Sequence, residues 1–337
     1  METLLSLYKD LFGHAPARTE PIQGSGSNRA YYRFFEPDGR CTIACRGTAV
    51  RENDSFLALS RHFAQCGLPV PRVLAVSPDR TAYLQESVGS RSLFDALKEG
   101  RQKGGRYSEE EQQLMERTLR LLPHVQVEGA RGLDFSVCYP APELDRTGIL
   151  FDLNYFKYCF LKTSSVEFDE YLLEADFQAF ASDLLSAEDA LSSVTAFLYR
   201  DFQARNIMLD DGGNLHLIDY QGGRKGPLLY DVVSFLWQAS SLFPDEVRQR
   251  CIGAYLDELA PLTSLSRDEV TDSFMRRLPL FMLFRQLQVL GAYGFRGRYE
   301  RKQHFLDSIP AALDNLRQIL PQCPYPYLHD TCLQFFL

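Results

Sequence analysis

Three oxygen-bearing side chains in the segment 199–231 have the types and order needed for phosphoryl transfer. Asp201 precedes Asn206 by five positions in YRDFQARNIML, and Asp219 closes LHLIDYQ. Transfer of a phosphoryl group needs a carboxylate to orient or deprotonate the attacking hydroxyl, and oxygen ligands for the magnesium that bridges the β- and γ-phosphates. Asp201 suits the first task. Asn206 and Asp219 suit the second, and both are candidate metal ligands. An Asp and an Asn five apart should turn up about once by chance in a chain of this size. The joint pattern is far rarer: R-D-x-x-x-x-N, an apolar run, a Gly-rich turn, a second apolar run, then Asp. Against it stands the plain reading of two exposed loop acids and a turn asparagine.

These residues need a positioning device, and the text around them supplies one. In NIMLDDGGNLHLIDY two apolar runs flank Asp-Asp-Gly-Gly, a strong hairpin signal that brings Asn206 and Asp219 to one end of a site. Upstream, residues 22–90 read as strands punctuated by turns, with a Gly/Ser loop in PIQGSGSNRA, a PDG turn, and a helix over about 52–66 whose apolar residues fall at 56, 59, 63 and 66. The pattern predicts a small five-stranded antiparallel sheet with one helix. Beyond residue 90 helical periodicity dominates, interrupted by the catalytic hairpin. The expected fold class is therefore α+β in two lobes, the first over 1–88 and a mainly helical second over 89–337 that carries the hairpin.

At 337 residues the chain suits two lobes sharing a cleft, and 45% hydrophobic with 24% charged residues is ordinary for a globular protein. Acidic residues outnumber basic ones, 44 to 36. No general attraction to nucleic acid or anionic membrane follows from that balance, so a small-molecule partner fits better. METLLSLYKDLFG reads as an amphipathic helix rather than a signal peptide, and no apolar run approaches bilayer-spanning length. Cytoplasmic residence, without nucleic acid or membrane partners and as a monomer or weak dimer, is the default. The eight cysteines contain no C-x-x-C pair and read as structural.

The segments YRDFQARNIML, LIDYQGGRKGPLLYDVVSFL and FRQLQVLGAYGFRGRYERKQHFLDSIPAALDNL resemble the aminoglycoside phosphotransferase and choline kinase superfamily of protein-kinase-like enzymes. Within it they are most similar to cell-wall sugar kinases that phosphorylate N-acetylmuramate and N-acetylglucosamine at the anomeric hydroxyl. The similarity runs through most of the chain. It implies ATP (or GTP) and Mg2+ as cofactors, Asp201 as catalytic base, and Asn206 and Asp219 as magnesium ligands. Asp231 would brace the catalytic loop. The hinge at QESV, with Gln85, Glu86 and Val88, would receive the adenine. Ser25, Gly26, Ser27 and Asn28 would cover the phosphates, with Arg29 facing them; taken alone, this Gly/Ser loop is an ordinary hairpin turn.

Two positions depart from the pattern. Tyr199 stands where the loop normally opens with His. No lysine occurs between Lys9 and Lys98, so the strand residue that usually holds the α- and β-phosphates is missing. Arg46, in I-A-C-R, has the matching offset: either a guanidinium clamp or an exposed strand-end charge. Glu52, at the start of the next helix, could pair with it.

For the acceptor, Gln203, Arg205 and Gln221 offer donors and acceptors suited to sugar hydroxyls. Asp145, Asp152 and Asn154, in ELDRTGILFDLNYFKYCF, either line the acceptor pocket or decorate an amphipathic helix. The mixed charge of this set favours a neutral or anionic sugar over a polycationic antibiotic. A protein kinase is disfavoured because Asp219 and Asp231 are only twelve positions apart, which leaves no room for an activation segment. A nucleotide-binding regulatory module without turnover is the reading that Tyr199 and the missing lysine would support.

Overall fold

The computed structural model describes residues 1–22 and 29–337. Ser25, Gly26, Ser27 and Asn28 lie outside the described residues. A five-stranded antiparallel sheet runs β1 (Arg18–Ile22), β2 (Ala30–Phe35), β3 (Cys41–Arg46), β5 (Ala82–Glu86) and β4 (Val73–Val76) in spatial order. Strand alternation divides its side chains between two helices. On one face Phe34, Ala44, Ala82 and Leu84 pack against Leu4 and Tyr8 of α1 (Glu2–Phe12). On the other, Cys45 and Tyr83 pack toward α2 (Val50–Gln65), whose Phe56, Leu59 and Phe63 are buried. The sheet thus carries two helices rather than the single one expected, because the N-terminal amphipathic segment docks on its outer face.

The larger lobe is helical. Helix 109–123 packs against helix 245–262, and the long helix Arg267–Tyr293 packs against helices 146–159 and 229–236. Glycine permits the closest of these crossings. A Cβ on Gly291 would lie 2.8 Å from Phe156 N, and one on Gly294 2.1 Å from Cys159 O. The GAYGFRG stretch is therefore required where two backbones nearly touch. The apolar C-terminal segment docks on this lobe: Tyr325 donates to Asp183 (2.7 Å), Leu328 N donates to Asp176 (2.7 Å), and Leu328 and Cys332 are fully buried.

Strands Ile207–Leu209 and Leu215–Leu217 form the predicted hairpin, with Asp210 Oδ1 accepting from Gly212 N and Asn214 N. Aromatic rings join the lobes beside it. Phe56 stacks between Tyr83 and Tyr220, at centroid distances of 4.8 and 5.4 Å. Ser60 Oγ and the Tyr220 hydroxyl share a hydrogen bond of 2.7 Å, and Ser55 Oγ donates to Gln221 O. α2 is thereby fixed to the residues that follow Asp219.

Candidate active site

Asp201 sits in the loop between strand 197–198 and the hairpin, and the backbone of that loop is held by one buried acid. Asp231 accepts from Tyr199 N (2.8 Å), Arg200 N (2.9 Å) and Gln126 Nε2 (3.1 Å). It lies on helix Leu229–Leu236 and is completely buried. Burial pushes its carboxyl up to about 7, against the pull of these donors. Gln126 is in turn held by the Tyr255 hydroxyl at 2.7 Å. Its role is not legible in the sequence, since a glutamine 105 residues upstream of Asp231 carries no local signal.

Arg200 is forced into the left-handed region, φ +78°, and Asp219 shares that conformation at φ +69°. Such backbone costs free energy for residues other than glycine and collects at functional sites. Arg200 reaches away from the cleft to Asp152, with Nη2 at 2.7 and 2.8 Å from its two oxygens. Asp152 is 3% exposed. It therefore braces the catalytic loop and does not line an open acceptor pocket. Asp145 and Asn154 are each engaged within their own helix. Asp145 caps helix 146–159 through Gly148 N, and Asn154 donates to Leu150 O one turn earlier.

Asn206 and Asp219 do come together. Asn206 Nδ2 donates to Asp201 O (2.9 Å) and to Asp219 Oδ2 (3.2 Å), and Gln221 Nε2 donates to Asp219 Oδ1 (2.7 Å). Burial raises the Asp219 pKa, and the negative charge of Asp201 raises it further. The Asp201 carboxylate lies against Gly222, where a Cβ would be 3.8 Å from Oδ2. Tyr199 fills the place of the usual histidine and still does structural work: its buried hydroxyl donates to Ile218 O, immediately before Asp219. Among the described residues, no group of three or more His, Cys, Asp or Glu could hold a metal. The donor set here is two carboxylates and amide oxygens. It fits a hard cation, because Asn206 Oδ1 is left over once Nδ2 is used, and the buried Gln221 Oε1 has no hydrogen-bond partner.

At the hinge, Gln85 is buried on β5. Glu86 is bound to Arg72, receiving Arg72 N and Nε at 3.1 and 2.7 Å. Val88 follows half-buried, and its N–H donates to no backbone carbonyl among the described residues. Gln203 is half-buried in the loop, and the exposed Arg205 stacks on Phe94 at 3.7 Å. Arg46 is not brought to the cluster. It pairs with Ala82, whose side chain packs with α1, and it is exposed on that outer face. Sequence offset alone missed the parity: a one-residue slip along a strand moves a side chain to the opposite face.

A family model, the phosphotransferase enzyme family (APH), matches residues 18–265 and so spans the sheet, the catalytic loop and the hairpin. The chain belongs to this phosphotransferase family. The N-acetylmuramate/N-acetylglucosamine kinase of Pseudomonas aeruginosa is 24% identical over 296 residues, covering 88% of this chain and 81% of the relative. The enzyme of the same name from Neisseria meningitidis serogroup B is 27% identical over 178 residues, 53% of this chain and 52% of its own. Among solved structures, the choline kinase LicA of Streptococcus pneumoniae shares the fold with a TM-score of 0.59 at 12% identity, covering 94% of this chain and 98% of its own. The amicoumacin kinase hAmiN, in complex with AMP-PNP, Ca2+ and Ami, does so with 0.62 at 13%, covering 94% and 92%. This phosphotransferase is a small-molecule kinase.

Proposed function

We propose that the chain transfers the γ-phosphoryl group of ATP, with magnesium, to a hydroxyl of a sugar, and that an N-acetylated hexosamine phosphorylated at its anomeric hydroxyl is the acceptor to test first. The observation that carries this reading is the convergence of Asp201, Asn206 and Asp219 at one end of the hairpin. Asn206 and Asp219 would hold the magnesium, with Gln221 oriented beside them, and bound magnesium supplies charge neutralisation on the β- and γ-phosphates. Asp201 takes the proton of the acceptor hydroxyl, or orients that hydroxyl, from a loop that Asp231 and Asp152 hold rigid. The Val88 amide, which donates to no backbone carbonyl among the described residues, suits the adenine edge. In this reading residues 1–88 bind nucleotide, and 89–337 carry the chemistry and the acceptor.

The similarity to kinases named for N-acetylmuramate and N-acetylglucosamine supports the sugar. Charge supports it over an aminoglycoside- or choline-type acceptor. Arg205 and Arg285 both bear on Tyr293, and Arg285 donates to the Tyr230 hydroxyl at 3.1 Å. Neither arginine has a carboxylate ion-pair partner among the described residues. A cationic acceptor approaching either guanidinium would be repelled. ADP release measured across a panel of amino sugars, neutral hexoses, choline and aminoglycosides tests the assignment: turnover with an N-acetylated hexosamine supports it, and turnover only with the cations overturns it.

A further inference from the structure

The cleft-facing positions of β3 hold no cation. Register places Cys45 between Tyr31 and Tyr83 on the face toward α2, while Arg46 points to the other side. A buried cation nonetheless enters the cleft from the start of β2. The Arg29 side chain is 2% exposed, and its Nη2 lies 3.5 Å from Glu52 Oε1, in the first turn of α2. Its guanidinium stands over the Phe56 ring at 5.8 Å, and Phe56 stacks on Tyr220, the residue after Asp219. The positive charge of Arg29 favours the charged carboxylate of Asp219, whereas Glu52 opposes it. A triphosphate entering this cleft would meet the carboxylates of Asp201, Asp219 and Glu52. It needs a fixed positive group on the sheet side of the metal position.

We propose that Arg29, positioned by Glu52, clamps the nucleotide triphosphate and so takes the place of the missing strand lysine. The inference rests on the ATP-dependent kinase reading above. The planar guanidinium can grip two phosphate oxygens at once, which compensates for approaching from β2 rather than β3.

The test compares binding of the magnesium complex of a non-hydrolysable ATP analogue with binding of adenosine, by calorimetry, for the wild-type chain, Arg29→Gln and Arg46→Gln. The expected result is a loss of analogue affinity of about tenfold or more in Arg29→Gln, the scale of one charge-assisted contact. Adenosine affinity should stay within about twofold, and Arg46→Gln should match wild type in both. Equal analogue affinity in Arg29→Gln and wild type, or a selective loss in Arg46→Gln instead, overturns the proposal. Arg29→Met keeps the aliphatic stem and serves the same comparison should the glutamine variant not fold. A wild-type chain that binds neither probe would refute the kinase reading itself, an outcome distinct from failure of the clamp.

Discussion

Asp201 is held from behind, by backbone amides bound to Asp231 and by a neighbouring arginine bound to Asp152, so its carboxylate is aimed before any substrate arrives. Asp201→Asn should lower kcat by about 10²–10⁴, the usual contribution of a positioned base, with little change in nucleotide KM. Steady-state kinetics with varied ATP checks this. Asp152→Asn should act differently. It leaves a buried guanidinium without its counter-charge, and urea unfolding should show a loss of about 3–5 kcal/mol. At this scale the sequence was legible where one short stretch holds both chemistry and geometry, as for Asp201, Asn206 and Asp219. It was not legible where the partner is remote. Asp152 had the look of an acceptor ligand until Arg200, 48 residues later, was seen to occupy it. Arg46 had the right offset but the wrong strand parity.

The elements are set by patterns of unequal reach. The hairpin follows from its Asp-Asp-Gly-Gly turn, and α2 from its apolar spacing, within two residues of the expected start. The near-contact of helices 146–159 and 267–293 could not be foreseen, because the glycines that allow it carry no local sign of the helix they face. Gly294→Ala should cost about 1–3 kcal/mol, because the added methyl meets a backbone oxygen that cannot move aside. Gly253, in helix 245–262, is the opposite case: its Cβ position is open, and Gly253→Ala should stabilise by about 0.5–1 kcal/mol. Denaturant midpoints of the two variants, read against wild type, should move in opposite directions.

Across the whole molecule, the two lobes meet where Phe56 lies on Tyr220 and Phe63 on Phe197, and the catalytic loop lies just beneath, so folding and site assembly are coupled. Asp231 makes that coupling depend on pH. Its folded pKa, about 7, lies above the ordinary carboxylate value of about 3.9. An acid raised in this way contributes stability that is fully present below about pH 4 and is lost as pH rises through about 7. Asp231→Asn cannot ionise, so the melting temperature of wild type relative to this variant should fall between about pH 4 and 7 and level off above it. A constant difference would mean that the three N–H donors hold the carboxylate ionised throughout. Two lobes around a cleft were foreseeable from the change of periodicity near residue 90. The amphipathic pattern of α1 and the apolar character of the C-terminal segment were legible, but the surfaces they dock on were not, since long-range packing partners leave no local signature.

In the proposed reaction this chain moves a phosphoryl group onto a sugar hydroxyl using Asp201. Phosphorus NMR of a reaction containing MgATP and N-acetylglucosamine or N-acetylmuramate tests it most directly. The expected result is an acid-labile sugar 1-phosphate appearing with one ADP per sugar for the wild-type chain, and none within the same period for Asp201→Asn. Equal product from both proteins, or no sugar phosphate from the wild type while another acceptor is consumed, would contradict it.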